Sequence, residues 1–221
     1  MKLLLTSGGI TNKTIKKALA DLVGKPFNKT SLAFIPTAAN VEEGDKSWLI
    51  EDLSNIKKLK LKSIDIVDIS ALPKEMWLPR LEAVDILFFS GGVTPHLMYW
   101  LKKSGLADLL PKLLKTRVYA GISAGSMVTN PTIALGNKDK KIYYEKWFGY
   151  GSDEGLGLVN FYVRPHLNSR FFPNANNAYF AQVAKNIKEP IYALDDNMAI
   201  KIVGSKVEVV GEGKYLILNS K

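Results

Sequence analysis

The 221-residue chain contains no cysteine and only two histidines, His96 and His166. Without cysteine there are no disulfides and no thiolate metal sites, a composition that suits a reducing cytoplasm. With so few imidazoles a zinc centre is disfavoured as well, and neither a metal nor an organic cofactor is implied. Long hydrophobic runs are also missing, since no stretch approaches the ~18–20 apolar residues of a membrane span. The opening MKLLLTSGG is interrupted by Thr6 and Gly8-Gly9 too early for a signal peptide, and reads as a first buried strand. Neither phosphate-cradling pattern, G-x-G-x-x-G or G-x-x-x-x-G-K-S/T, is present, which demotes nucleotide binding.

Hydrophobic residues make up 47% of the chain, enough for a packed core and a folded globular protein. The net charge of +9 invites a nucleic-acid reading. Yet the lysines are scattered at helix-surface spacings (Lys16 and Lys17; Lys57, Lys58, Lys60 and Lys62; Lys138, Lys140 and Lys141), with no basic arm and no RNA-binding aromatic pattern. Solvated lysines on helix faces are the expectation, with no nucleic-acid partner and no membrane.

Apolar runs of strand length occur at Lys2–Leu5, Ser31–Ile35, Ser63–Ile69, Val84–Phe89 and Arg117–Ile122. Helical patterns lie between them, at Thr11–Val23, Glu43–Leu61, Lys74–Leu81 and Thr94–Leu114, the last expected to break at Gly105 and Pro111. This alternation predicts βαβ units and a parallel sheet covered on both faces. After an irregular stretch, Asn130–Gly157, the pattern predicts a strand at Leu158–Val163 and a helix near Asn176–Ile187. Short strands follow at Ile191–Leu194, Met198–Val203 and Lys206–Val210, and "KIVGSKVEVVGEGKYLIL" reads as a meander. The fold class is therefore α/β: an αβα sandwich with a mostly parallel sheet and an antiparallel C-terminal meander, in a single domain over 1–221.

Ligands of open parallel sheets bind beyond the carboxyl ends of the strands. At those ends this chain reads "TSGG", "PTAAN", "SGGVT" and "SAGS". The last belongs to Gly121-Ile122-Ser123-Ala124-Gly125, a G-x-S-x-G sequence that follows an apolar strand, and this makes Ser123 a candidate nucleophile. A serine hydroxyl needs a base within hydrogen-bond reach. His166, in "FYVRPHLNS", follows a predicted strand and is the candidate; His96 lies at the start of a predicted helix. A carboxylate must orient the imidazole. Asp195 and Asp196, in "YALDDNMAI", qualify equally by position. For an oxyanion, the amide of Ala124 is one natural donor, and Gly91 or Gly92 could supply a second.

Taken together, "FFSGGVTPHL", "YAGISAGSMVTNPTI", "VRPHLNS" and "IYALDDNMAIKI" resemble the peptidase E family, the S51 serine peptidases that include aspartyl dipeptidase and, more distantly, cyanophycinase. The resemblance covers nearly the whole chain. It implies a Ser-His-acid order with Ser123 as nucleophile, His166 as base and Asp196 as acid, and Gly92 and Ala124 as the oxyanion donors. It implies a serine peptidase hydrolysing short peptides through an acyl-enzyme, with a short peptide as partner and a homodimer as a permitted assembly. Three positions depart from the family pattern. Asp196 stands where the acid is usually Glu, and Val93 stands where Asn is frequent. No arginine opens the helix after His166, where aspartyl dipeptidases carry one, although Arg170 lies close. Strict Asp-X specificity is accordingly not carried over. Two other readings compete. A glutamine-amidotransferase relative is disfavoured by Ser123 and Asn168 at the positions of its Cys and Glu. A non-catalytic binding protein on the same scaffold would keep the pocket without the chemistry. The aromatic stretch Tyr143–Tyr150 reads either as a lid or as ordinary packing.

Overall fold

The computed structural model describes residues 1–135 and 144–220. Seven strands form the main sheet: β1 (Lys2–Thr6), β2 (Ser31–Ile35), β3 (Ser63–Ile66), β4 (Ile86–Phe89), β5 (Val118–Ile122), β8 (Met198–Val203) and β9 (Lys206–Gly211). Their order is β3-β2-β4-β5-β1-β8-β9. The pairs β3–β2, β2–β4, β4–β5 and β5–β1 are parallel, and β1–β8 and β8–β9 are antiparallel. A second sheet joins β6 (Tyr162–Arg164), β7 (Ile191–Leu194) and β10 (Tyr215–Leu218) in the order β10-β7-β6.

The continuous apolar runs arise because both faces of the main sheet are covered. Leu3 and Leu5 of β1, Ala33 and Ile35 of β2 and Leu87 and Phe89 of β4 face one core. That core holds Trp77 and Leu81 of α4 (Lys74–Glu82), Leu97 and Leu101 of α5 (Thr94–Lys103) and Leu106 and Leu110 of α6 (Leu106–Leu113). The alternate residues Leu4, Leu32, Phe34, Ile86 and Phe88 face the other core. There they meet Ile15 and Leu19 of α1 (Lys13–Val23) and Ile56 of α3 (Ser47–Lys57). The central strands β1, β2 and β4 thus spend their side chains on two layers of helix, and their carboxyl ends stay open for function.

The expected sandwich is present, with differences that have local causes. α3 starts at Ser47 rather than Glu43, because Asp45 accepts hydrogen bonds from the Ser47 amide and hydroxyl at 3.1 and 2.7 Å and fixes the entry there. Gly105, in the left-handed region at φ 77°, separates α5 from α6, whereas Pro111 is accommodated inside α6. The expected strand at Leu158–Val163 is shorter and later, at Tyr162–Arg164. The C-terminal meander is split. β8 and β9 extend the main sheet, but β10 turns away to pair with β7. Asp195 anchors that departure, since its carboxylate accepts the Lys214 amide at 2.5 Å and the Asn197 amide at 2.9 Å.

Candidate active site

The strand ends β1, β4 and β5 meet at Ser123. This residue caps α7 (Ala124–Met127) with φ 46° and ψ −103°, outside the ordinary regions for a residue with a side chain. The neighbouring strands hold it there. The Ser123 amide donates to the Thr6 carbonyl at 3.1 Å, and the Gly125 amide donates to the Ser90 carbonyl at 3.1 Å. The Ser126 hydroxyl donates to the carbonyls of Thr6 and Gly121 at 2.8 and 2.9 Å. Glycine is required at 125, where a Cβ would stand 2.4 Å from the Phe89 carbonyl oxygen. The G-x-S-x-G spacing therefore lets a helix start directly against two strands and leaves the serine hydroxyl projecting.

His166 follows β6 through Pro165 and has φ 66°. Its Nε2 lies 2.8 Å from Ser123 Oγ, and its Nδ1 lies 2.6 Å from Asp196 Oδ1. The imidazole stacks on Phe172, with ring centroids 4.1 Å apart and planes 11° from parallel, which fixes its tilt. Of the two aspartates that the sequence left equal, only Asp196 faces the histidine; Asp195 is the turn anchor described above. The shorter aspartate spans the distance because Asp196 is drawn in against the β1 loop. A Cβ at Gly8 would stand 2.6 Å from the Asp196 carbonyl oxygen.

Ser7 is a member of this cluster that sequence reasoning missed. It is fully buried, its hydroxyl donates to Asp196 Oδ1 at 3.0 Å, and its oxygen accepts the His166 amide at 2.9 Å. One hydroxyl thus ties together the backbone of His166 and the carboxylate that faces its imidazole. The signal was present in "TSGG", one of the strand ends expected to border a site, although its serine was not singled out. Burial works to raise the Asp196 carboxyl, but hydrogen bonds from His166, Ser7 and Ser169, with the neighbouring imidazole, outweigh it and hold the group below its ordinary value. Asp196 is ionised at neutral pH and can accept Nδ1–H, which leaves Nε2 free to accept the Ser123 proton.

In the "SGGVT" loop Gly91 faces Ser123, and Gly92 after it has φ 127°, where a Cβ would stand 2.2 Å from the Ala38 carbonyl oxygen. That carbonyl accepts the Val93 amide at 2.8 Å, which holds the loop. The amides of Gly92 and Ala124 donate to no carbonyl among the described residues; Ala124 follows Ser123 in sequence, and Gly92 follows Gly91, whose Cβ point lies 3.5 Å from Ser123 Cβ. Arg170 is exposed, with its guanidinium over the Phe171 ring at 4.6 Å. A different arginine lies inward: the Arg164 guanidinium is 5.9 Å from the Phe180 ring centre, its Nε has no hydrogen-bond partner among the described residues, and burial lowers its pKa.

His96 belongs elsewhere. Its Nδ1 is 2.5 Å from the Tyr144 hydroxyl, and burial pushes its pKa down to about 4 against a weaker pull from Asp68. Tyr144 stacks on Phe148 and meets Tyr99 and Tyr150 edge-on. The aromatic stretch is packed against α5 at Tyr144, while Trp147 is 64% exposed; Tyr143 lies outside the described residues. Among the described residues no group of three or more His, Asp or Glu is arranged to hold a metal ion, and no helix is long and apolar enough to cross a membrane.

Comparison with known proteins decides the family, because the model of peptidase family S51 matches residues 3–210. The chain belongs to peptidase family S51. An uncharacterised peptidase of Pasteurella multocida (strain Pm70) is 27% identical over 195 residues, which cover 86% of this chain and 88% of that one. A peptidase E of Nostoc sp. (strain PCC 7120) is 30% identical over 137 residues, covering 59% of this chain and 54% of its own. A crystal structure presented as a peptidase E candidate from Listeria monocytogenes EGD-e superposes with a TM-score of 0.76 at 23% identity, covering 96% of this chain and 98% of that one. The S51 fold is thus shared along almost the whole chain, and membership supports a peptidase.

Proposed function

We propose that this S51 peptidase is a serine hydrolase of short peptides, working through Ser123, His166 and Asp196 as one peptidase unit over 1–221. Ser123 Oγ attacks the peptide carbonyl while His166 Nε2 takes its proton. Asp196 holds the imidazole in the Nδ1–H tautomer and stabilises the imidazolium. The amides of Gly92 and Ala124 receive the oxyanion, with the start of α7 adding its positive end. His166 then passes the proton to the leaving amine, and a water repeats the cycle on the acyl-enzyme. No step calls on a metal or cofactor, and the cysteine-free chain fits a cytoplasmic enzyme.

The single observation that carries this reading is the unbroken series Ser123 Oγ, His166 Nε2, His166 Nδ1, Asp196 Oδ1, with spacings of 2.8 and 2.6 Å. The strained backbone at Ser123 supports it, because a merely structural serine has no need of it. The test is hydrolysis of a dipeptide library, Asp-X members included, by the wild type and Ser123→Ala. Cleavage lost in the variant supports the serine mechanism, and the cleaved members define the specificity. A folded wild type that cleaves no member would count against peptide hydrolysis and favour a binding protein on this scaffold.

A further inference from the structure

α3 carries an acidic residue that the reaction above does not use. Asp52 lies on the side of α3 that bears Leu49, Leu53 and Ile56 toward the core, and it is half-buried. It makes no hydrogen bond or ion pair among the described residues. A carboxylate in such a place normally has a partner, because burying an unpaired charge is costly. Burial pushes its pKa up to about 7, with the adjacent Glu51 adding repulsion.

Its surroundings are those of the active site. Asp52 Oδ1 is 3.3 Å, and Ile122 Cδ1 is 3.2 Å, from the point where a Cβ on Gly9 would stand. Ile122 is the residue before Ser123, and Gly9 is next to Gly8, which packs on Asp196. One turn earlier on the same helix, Trp48 reaches the glycine loop that faces the serine. Trp48 Cζ3 and Ser123 Cβ lie 3.6 and 3.5 Å from the Cβ point of Gly91, so the indole and the serine flank one glycine. An indole and a carboxylate with no partner among the described residues thus stand one turn apart on α3, the indole against the Gly91 loop and the carboxylate against Gly9, and both kinds of group attract cations.

We propose that Asp52, with Trp48 beside it, is the specificity site for an ammonium group of the peptide substrate, either its free α-amino group or a lysine side chain. The assignment rests on the peptidase reading above and adds the charge of the substrate to it. The cation supplies the partner that Asp52 lacks, and the indole covers the ammonium from the side of Ser123. A neutral peptide leaves the carboxylate unpaired and binds weakly.

The test is equilibrium binding, measured calorimetrically on Ser123→Ala protein at pH 7.5, so that it does not depend on turnover. The probes are L-leucinamide (α-ammonium only), N-acetyl-L-lysinamide (side-chain ammonium only) and N-acetyl-L-leucinamide (uncharged). At least one charged probe is expected to bind ten-fold or more tighter than the uncharged one, and which one identifies the ammonium that is read. Adding Asp52→Asn, a substitution of the same shape, should bring that ratio close to one. The proposal is overturned if no charged probe outbinds the neutral one, or if the preference survives Asp52→Asn. Failure of the peptidase reading would appear separately, as absent hydrolysis and an unreactive Ser123 in the wild type.

Discussion

Removing the Ser7 hydroxyl tests whether the site is held together in the way its hydrogen bonds indicate. In Ser7→Ala the partly buried His166 amide loses its acceptor at 2.9 Å, and Asp196 loses a donor at 3.0 Å. An unsatisfied buried N–H costs about 1–3 kcal/mol. In a protein of this size that corresponds to a Tm lower by about 2–10 °C. The kinetic effect comes through position. Freed from Ser7, the backbone at His166 and the Asp196 carboxyl can shift relative to one another, and a displacement near 1 Å costs about 10²-fold in rate. The expected result is a kcat reduced about 10- to 100-fold with KM within about twofold, because Ser7 bonds to His166 and Asp196. Ser7→Thr keeps the hydroxyl and should recover most of the loss. Steady-state kinetics on a cleaved dipeptide, beside calorimetric melting, reads both effects. A folded Ser7→Ala enzyme with wild-type kcat would refute the reasoning.

Further expectations follow from single contacts. Gly92→Ala drives a methyl into the Ala38 carbonyl from a backbone at φ 127°, so unfolding titrations should show a loss of about 3 kcal/mol or more, with activity abolished. His96 has a folded-state pKa of about 4 against an ordinary 6.5, so the unfolded chain binds the extra proton between those values. Stability should therefore fall as pH drops from about 6.5 to about 4, by about 3 kcal/mol at most, and His96→Gln should flatten that part of the profile. Asp52 has the opposite sign. Its folded value of about 7 lies above the ordinary 3.8, so stability is lost as pH rises through that window. Asp52→Asn should accordingly be more stable than the wild type at pH 8, by about 2–4 kcal/mol at most, as expected where a residue is kept for function.

The parallel sheet was readable because its strands are buried on both faces and so appear as uninterrupted runs such as ILFF and VYAGI. The elbow was readable because glycine at 125 is forced by the approach of β4. The C-terminal strands were harder: "GEGKYLIL" has the alternation of a third meander strand. Its transfer to the second sheet depends on Asp195 grasping the Lys214 amide, a contact between residues nineteen positions apart. The two aspartates of "LDD" were inseparable in sequence for the same reason, since their roles diverge only through partners supplied by the β1 loop and the turn before β10. Ser7 and Asp52 were not singled out because each matters through residues more than a hundred positions away in the first case, and through a glycine on another element in the second. Nothing in "VRPHLNS" marks Arg164 as an inward-facing arginine; that depends on its packing over Phe180.

The central claim is that Ser123 is the nucleophile. It is tested most directly by exposing the folded protein to a fluorophosphonate and reading intact mass and peptide maps. A single adduct on Ser123, absent in Ser123→Ala and formed at least ~10³-fold more slowly in His166→Ala, is the predicted result. An adduct on another residue, or equal labelling of Ser123→Ala, would contradict it.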